Sequence, residues 1–262
     1  MTDAAAARSR RAARGRRPRR RATIVSVLGE LLLTAGVVVL LYAAWQMWIG
    51  DVIMSAAAND TGHAISERWA KDPAPAPPPV VPGTGASGVP AQYQPPVMAA
   101  PEDGVLWGAQ MRVPRWGADY DVQIAGGVTR PATLDHGWIG VYPGSGLPGQ
   151  PGNVTMAAHR TTWGKPFNQL DRLRLNDAIV IETPQGWYTY RFRTLEYVTP
   201  DSVDVLDPVP QQPGAQTGEK FITLTACSPL YSLAERIIAY GVFEGFQPRA
   251  LGLPESLKEA VR

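Results

Sequence analysis

Phe221-Ile222-Thr223-Leu224-Thr225-Ala226-Cys227-Ser228-Pro229 is an apolar run of β type that stops at a proline, and it holds the single cysteine of a 262-residue chain. Such a run, closed by a turn former, reads as a buried strand. Outward from it the same pattern recurs. Apolar runs at 110–113, 120–124, 153–157, 178–182, 187–192 and 236–243 are separated by turn formers such as Pro143-Gly144, Pro148-Gly149 and Pro184-Gln185-Gly186. Twenty-five prolines and 26 glycines suit a loop-rich β protein and not a helical one. Several short strands at this spacing predict a mainly β domain, a barrel or a sandwich. The best helix candidate inside it is 166–173, about two turns, and 255–262 is expected as a terminal helix.

The domain is expected behind an anchor. Residues 23–49 are apolar apart from Ser26, Glu30, Thr34 and Gln46. As a helix at ~1.5 Å per residue they would extend roughly 40 Å, enough to cross a ~30 Å hydrocarbon core. Trp45 and Trp48 stand where an interfacial aromatic belt is expected. A cleaved signal has an apolar region of only about 7–15 residues, so an uncleaved anchor is expected. Glu30 falls less than a third of the way across, which suits a shallow carboxylate. Residues 1–22 hold nine arginines against Asp3, net +8, which leaves −6 for the rest of a chain of net charge +2. A basic arm can bind nucleic acid, but one lying directly before an apolar span is explained as its cytoplasmic flank. Residues 50–71 read as a juxtamembrane segment with a short helix. Residues 72–103 are a Pro-rich linker, tending to polyproline II at ~3.1 Å per residue, and read as a spacer.

Exported proteins use cysteines in pairs, so a solitary one is either inert and buried or kept for its reactivity. A thiol is mostly protonated at neutral pH, and a cysteine nucleophile therefore needs a base or a cation beside it. Two histidines fall in the domain, His136 and His159, while His63 lies before the linker. His159 follows an expected strand and opens a polar loop, but composition alone does not choose between the two. Arg236 follows Cys227 by nine residues. If the two strands pair across the intervening loop, its guanidinium would sit near the sulfur, where it could hold an oxyanion; a surface salt bridge is the alternative. One cysteine with scattered histidines lacks metal-site spacing, and no phosphate-binding or nucleic-acid motif occurs.

Three motifs carry a resemblance over roughly residues 110–245. They are Asn153-Val154-Thr155-Met156-Ala157-Ala158-His159-Arg160-Thr161-Thr162, Thr223-Leu224-Thr225-Ala226-Cys227 and Ala234-Glu235-Arg236-Ile237-Ile238. Together they resemble the histidine strand, the cysteine motif and the arginine strand of the sortases, above all those of class E. The resemblance implies an eight-stranded sortase β-barrel with short helices at 104–249, followed by a tail at 250–262, with Cys227, His159 and Arg236 catalytic. It also implies substrate contacts from Tyr142, Thr225 and Ala226, with Tyr142 linked to acceptance of Ala at the second motif position. Two departures stand out: Ala226 replaces a threonine, and Val141 stands where relatives commonly have histidine.

The activity so implied needs no cofactor and no metal. It is that of a membrane-anchored cysteine transpeptidase, with the N-terminus cytoplasmic and the catalytic domain outside. The enzyme would cleave a Leu-Ala-x-Thr-Gly or Leu-Pro-x-Thr-Gly type sorting signal between Thr and Gly. It would then pass the acyl group to a cell-wall amine. Its partners would be secreted proteins carrying that signal, a peptidoglycan precursor or stem-peptide amine, and the bilayer through residues 23–49. Alternatives are a class F-like, pilus-type or mainly hydrolytic sortase, and an inactive anchored β-domain that binds peptides.

Overall fold

The structure, a computed structural model, describes residues 23–45, 49–82, 91–216 and 218–258. The basic tail 1–22, Trp48 and residues 259–262 of the expected terminal helix lie outside these. Helix α1, Ile24–Ala44, is opened by Thr23, whose side chain accepts from the Ser26 amide at 3.3 Å. It is long and apolar enough to cross a membrane, and none of its residues is buried.

Eight strands form a closed barrel: β1 Leu106–Arg112, β2 Val122–Gly126, β3 Ile139–Val141, β4 Gly152–Ala157, β5 Ala178–Thr183, β6 Gly186–Val198, β7 Lys220–Ser228 and β8 Glu235–Pro248. They run in the order β1-β2-β3-β4-β7-β8-β6-β5, so no strand edge is left open. The pairs β2/β3 and β4/β7 are parallel and the others antiparallel. Side chains alternate across each strand, and this sorts β7 cleanly. Ile222, Leu224 and Ala226 join the barrel core with Met111, Ile124, Met156, Ile181 and Tyr188. Thr223, Thr225 and Cys227 take the outer face. Burial there is satisfied by hydrogen bonds: Thr223 donates to Asn153 Oδ1 at 2.9 Å, and Asn153 Nδ2 donates to the Val205 and Asp207 carbonyls at 3.3 and 3.0 Å.

Several expectations are corrected. The helix at 166–173 is a 3-10 turn, Leu170–Arg172. The buried apolar residues Phe167, Leu170 and Leu173 are spaced by three, the period of a 3-10 turn and not of an α-helix. The short juxtamembrane helix is α2, Gly50–Lys71, 22 residues that pack on the barrel. The terminal helix α3 covers Glu255–Lys258 among the described residues. Within residues 72–103, expected as a spacer, the described stretch around 93–99 runs against the barrel. Val80 bridges Tyr93, and Tyr93 and Met98 pack on the core. Tyr188 donates to the Pro96 carbonyl at 2.8 Å and Trp107 Nε1 to the Ala99 carbonyl at 2.8 Å. Prolines lack an N–H but keep their carbonyls, so such a segment can still dock as an acceptor.

The docking of α2 centres on Gly62 and Asp121. A Cβ at Gly62 would meet the Asp121 carbonyl oxygen at 2.3 Å, so a residue unfavourable in a helix interior is required by the close approach. Asn59 Oδ1 accepts from the Asp121 amide at 3.2 Å, Ser66 donates to Asp121 Oδ2 at 3.1 Å, and His63 Nδ1 lies 3.5 Å from the same oxygen. At the far end, the buried Arg249 guanidinium stacks on Trp187 and faces Trp69 of α2, and it donates to Glu182 at 2.8 Å.

Burial pushes the Asp121 carboxyl up to about 6; Arg112 opposes this, Glu182 adds to it, and Ser66 and His63 oppose it more weakly. The folded chain therefore keeps a proton that the unfolded chain releases near pH 4. Asp121 contributes stability that is full below about pH 4 and lost as pH rises through about 6, on the order of 3 kcal/mol. In thermal melts of the full chain in detergent, Asp121→Asn is expected to flatten the fall in Tm between about pH 4 and 6. An unchanged slope would uncouple Asp121 from stability.

Candidate active site

Three neighbouring strand ends bring the expected trio together. Cys227 near the end of β7 is directly opposite Arg236 on β8. Opposite residues of an antiparallel pair share a face, with Cβ atoms ~4.5–5.5 Å apart. On the other side β4 runs parallel to β7 with Ala157 opposite Thr225, and the Ala158 amide still donates to the Thr225 carbonyl at 3.3 Å. Two residues past this last pair along each segment stand His159, just beyond the end of β4, and Cys227. His159, Cys227 and Arg236 all line one cavity of about 560 Å³. His136 does not line it. That ring is exposed and stacks on Trp138 with centroids 4.4 Å apart.

Cys227 is partly exposed, as a nucleophile must be. Arg236 Nη1 donates to the carbonyls of Leu233 and Glu235 at 3.1 and 2.8 Å, which ties the guanidinium to the base of the β7–β8 loop. His159 is 14% exposed, and its carbonyl accepts from the Phe167 amide at 3.0 Å. Of the expected substrate contacts, Tyr142 and Thr225 line the cavity and share a hydroxyl hydrogen bond of 2.9 Å. Ala226 edges the cavity, but its side chain belongs to the core, on the strand face opposite Cys227. A side chain there acts on the barrel packing behind the cysteine.

One residue at the site was not foreseen. Asp135 Oδ1 accepts from His159 Nε2 at 2.8 Å. An ionised carboxylate only accepts, so Nε2 carries the proton. Arg130 Nε also reaches this oxygen, at 3.3 Å. Burial pushes the Asp135 carboxyl up, but the bonds from His159 and Arg130 outweigh it and hold the carboxyl below its ordinary range. Nothing in the sequence spacing marks Asp135, because it sits in the connection between β2 and β3, 24 residues before His159.

Gly137 shows how the two loops meet. It has φ +76°, in the left-handed region, and a Cβ there would lie 3.0 Å from both Met54 Cε of α2 and the Trp163 carbonyl of the histidine loop. Glycine is what lets α2, the Asp135 turn and the histidine loop touch. Gly164 of that loop donates to Asp51 of α2 at 3.3 Å.

Comparison with known proteins places these features in a family context. The model of the Sortase domain matches residues 111–244. Sortase SrtE1 of Streptomyces coelicolor is 32% identical over 255 residues, covering 95% of this chain, and the chain spans 65% of that relative's length. Sortase SrtE2 of the same organism is 32% identical over 233 residues, covering 86% of this chain and 85% of the relative. The crystal structure of sortase E1 from Streptomyces coelicolor, with a tripeptide in its active site, matches with a TM-score of 0.54 at 34% identity. That match covers 59% of this chain and 97% of that one.

Proposed function

The chain belongs to the sortase family of cysteine transpeptidases and is similar to its class E members, and from this premise we propose that Cys227, His159 and Arg236 carry the reaction. The observation behind the reading is that Cys227 on β7, Arg236 opposite it on β8 and His159 just past the end of β4 line one cavity. The peptide held by sortase E1 of Streptomyces coelicolor supports a peptide substrate in the corresponding cavity here.

The Cys227 thiolate attacks the Thr–Gly carbonyl carbon of a Leu-Ala-x-Thr-Gly or Leu-Pro-x-Thr-Gly type signal. As the C–S bond forms, the carbonyl oxygen becomes an oxyanion, to which Arg236 donates. The C–N bond then breaks, and His159 as imidazolium gives its proton to the leaving glycine amine. A cell-wall amine attacks the thioacyl carbon and loses a proton to neutral His159. The C–S bond breaks and the thiolate is restored. Water can attack the same thioacyl group, so transfer depends on how well the acceptor amine is held.

Tyr142, fixed to Thr225, would border the second position of the signal and favour Ala there. Helix α1 would anchor the chain in the cell membrane, with the arginine-rich tail cytoplasmic and the barrel outside. The partners would be exported proteins bearing the signal and a peptidoglycan precursor or stem-peptide amine. The boundaries 1–22, 23–49, 50–71, 72–103, 104–249 and 250–262 would divide the chain by role.

Incubation of the full chain in detergent with Leu-Ala-x-Thr-Gly and Leu-Pro-x-Thr-Gly peptides and an amine acceptor tests this. Mass analysis is expected to show cleavage between Thr and Gly, a thioacyl adduct on the protein and a peptide–amine product. Cleavage elsewhere, or none with either peptide, would overturn the assignment.

A further inference from the structure

The cavity wall carries three guanidinium groups, Arg130, Arg160 and Arg236, and among the described residues no carboxylate. That setting favours a thiolate at Cys227 but opposes the positive charge on His159, which the proposed reaction needs until the amine leaves. Asp171 meets Arg160 at 3.2 Å and so is engaged elsewhere. Asp135, directly behind the wall, is the carboxylate in contact with the imidazole.

Its position is built from both sides. The 3-10 turn Leu134–His136 is fixed by the Thr133 and Asp135 amides, which donate to the Thr129 and Arg130 carbonyls at 3.0 and 2.8 Å. The buried Thr133 hydroxyl donates to the Gly126 carbonyl at 2.8 Å. The histidine loop is held by its own main-chain bond to Phe167 and by Asp51 of α2. These two segments, which also touch at Gly137 and Trp163, meet at a 2.8 Å contact. A mere surface pair with Arg130 accounts for this less well: that side chain is 67% exposed and its contact is 3.3 Å, whereas His159 is 14% exposed.

We propose that Asp135 is the positioning residue of His159: its carboxylate fixes the ring with a proton on Nε2 and supplies the counter-charge to the imidazolium in a cavity wall that holds arginines. The residue touches no reacting atom and acts through the histidine. The effect on turnover rests on the peptide-transfer reading above; the effect on the imidazole does not.

Two measurements on the full chain in detergent micelles separate these. In the peptide assay, Asp135→Asn, which keeps the shape and removes the charge, is expected to lower kcat about 10–100-fold with KM within about twofold. Asp135→Ala is expected to lose at least as much. With histidine-selective 15N labelling, the three histidines are resolved and His159 is identified by the signal lost in His159→Gln. The wild type is expected to show a hydrogen-bonded Nε2–H on His159. Asp135→Ala is expected to lose it while the His136 signal, from the exposed neighbouring ring, is retained. If the wild type turns over no signal peptide, the substrate reading fails and the imidazole spectrum alone decides the proposal. An unchanged His159 signature in Asp135→Ala, or kcat within twofold of wild type in both variants, overturns it.

Discussion

Cys227→Ala is expected to abolish both cleavage of a Leu-Ala-x-Thr-Gly peptide and formation of the thioacyl adduct, a fall of about four orders of magnitude or more. Removing a nucleophile removes the covalent route itself, so the loss exceeds that from any supporting residue. Folding should survive, because Cys227 is partly exposed on the outer face of β7 and a change at such a place costs about 1 kcal/mol or less. The chain has one cysteine, so a thiol-alkylating reagent reports on this atom alone. The wild type is expected to take up one label per chain in the folded state at pH 6–8 and to lose peptide cleavage in proportion. Cleavage by Cys227→Ala within tenfold of wild type would remove the sulfur from the mechanism. A folded wild type that takes no label would favour the alternative of an inactive peptide-binding domain.

The second large effect is expected at the cation. The partners of Arg236 among the described residues are main-chain carbonyls, which orient its guanidinium without neutralising it. Arg236→Ala is expected to lower kcat/KM about 10²–10³-fold, the usual range for removing one donor to an oxyanion. Arg236→Lys should recover only part of this, since an ammonium keeps the charge but loses the planar fork. His159→Ala is expected to fall at least as far, with both half-reactions slowed. Kinetics of the acylation burst distinguish these from changes in binding, and full activity in either alanine variant would take that residue out of the reaction.

Much of this arrangement is legible in the sequence because it follows from strand periodicity. Seven of the eight strands coincide with apolar runs bounded by turn formers. The eighth, Ile139–Val141, is only three residues long and is crowded by turn formers, too short for an alternating pattern to register. β6 and β8 extend well beyond the expected 187–192 and 236–243, because residues such as Thr194 and Tyr197 are paired in the ladder while their side chains are exposed. For Ala226 a period of two in the sequence already puts its side chain on the face opposite Cys227, where the core lies. The docked helix α2 was hidden for another reason. It attaches through Gly62, Asn59, His63 and Ser66 to a buried carboxylate, contacts that leave no apolar stripe to read. Asp135 was equally hidden, since its partnership with His159 exists only once two connections have been folded against each other.

The parallel pairing of β4 with β7 has a consequence for when chemistry becomes possible. Sixty-seven residues, including both β5 and β6, lie between His159 and Cys227, and the β4/β7 ladder brings the two segments together. Loops of this length close late, after local hairpins have formed. On the reading proposed above, the folding chain would therefore first hold its sulfur beside the guanidinium on one local hairpin, and would gain its proton donor, and with it acyl transfer, only when β4 docks on β7.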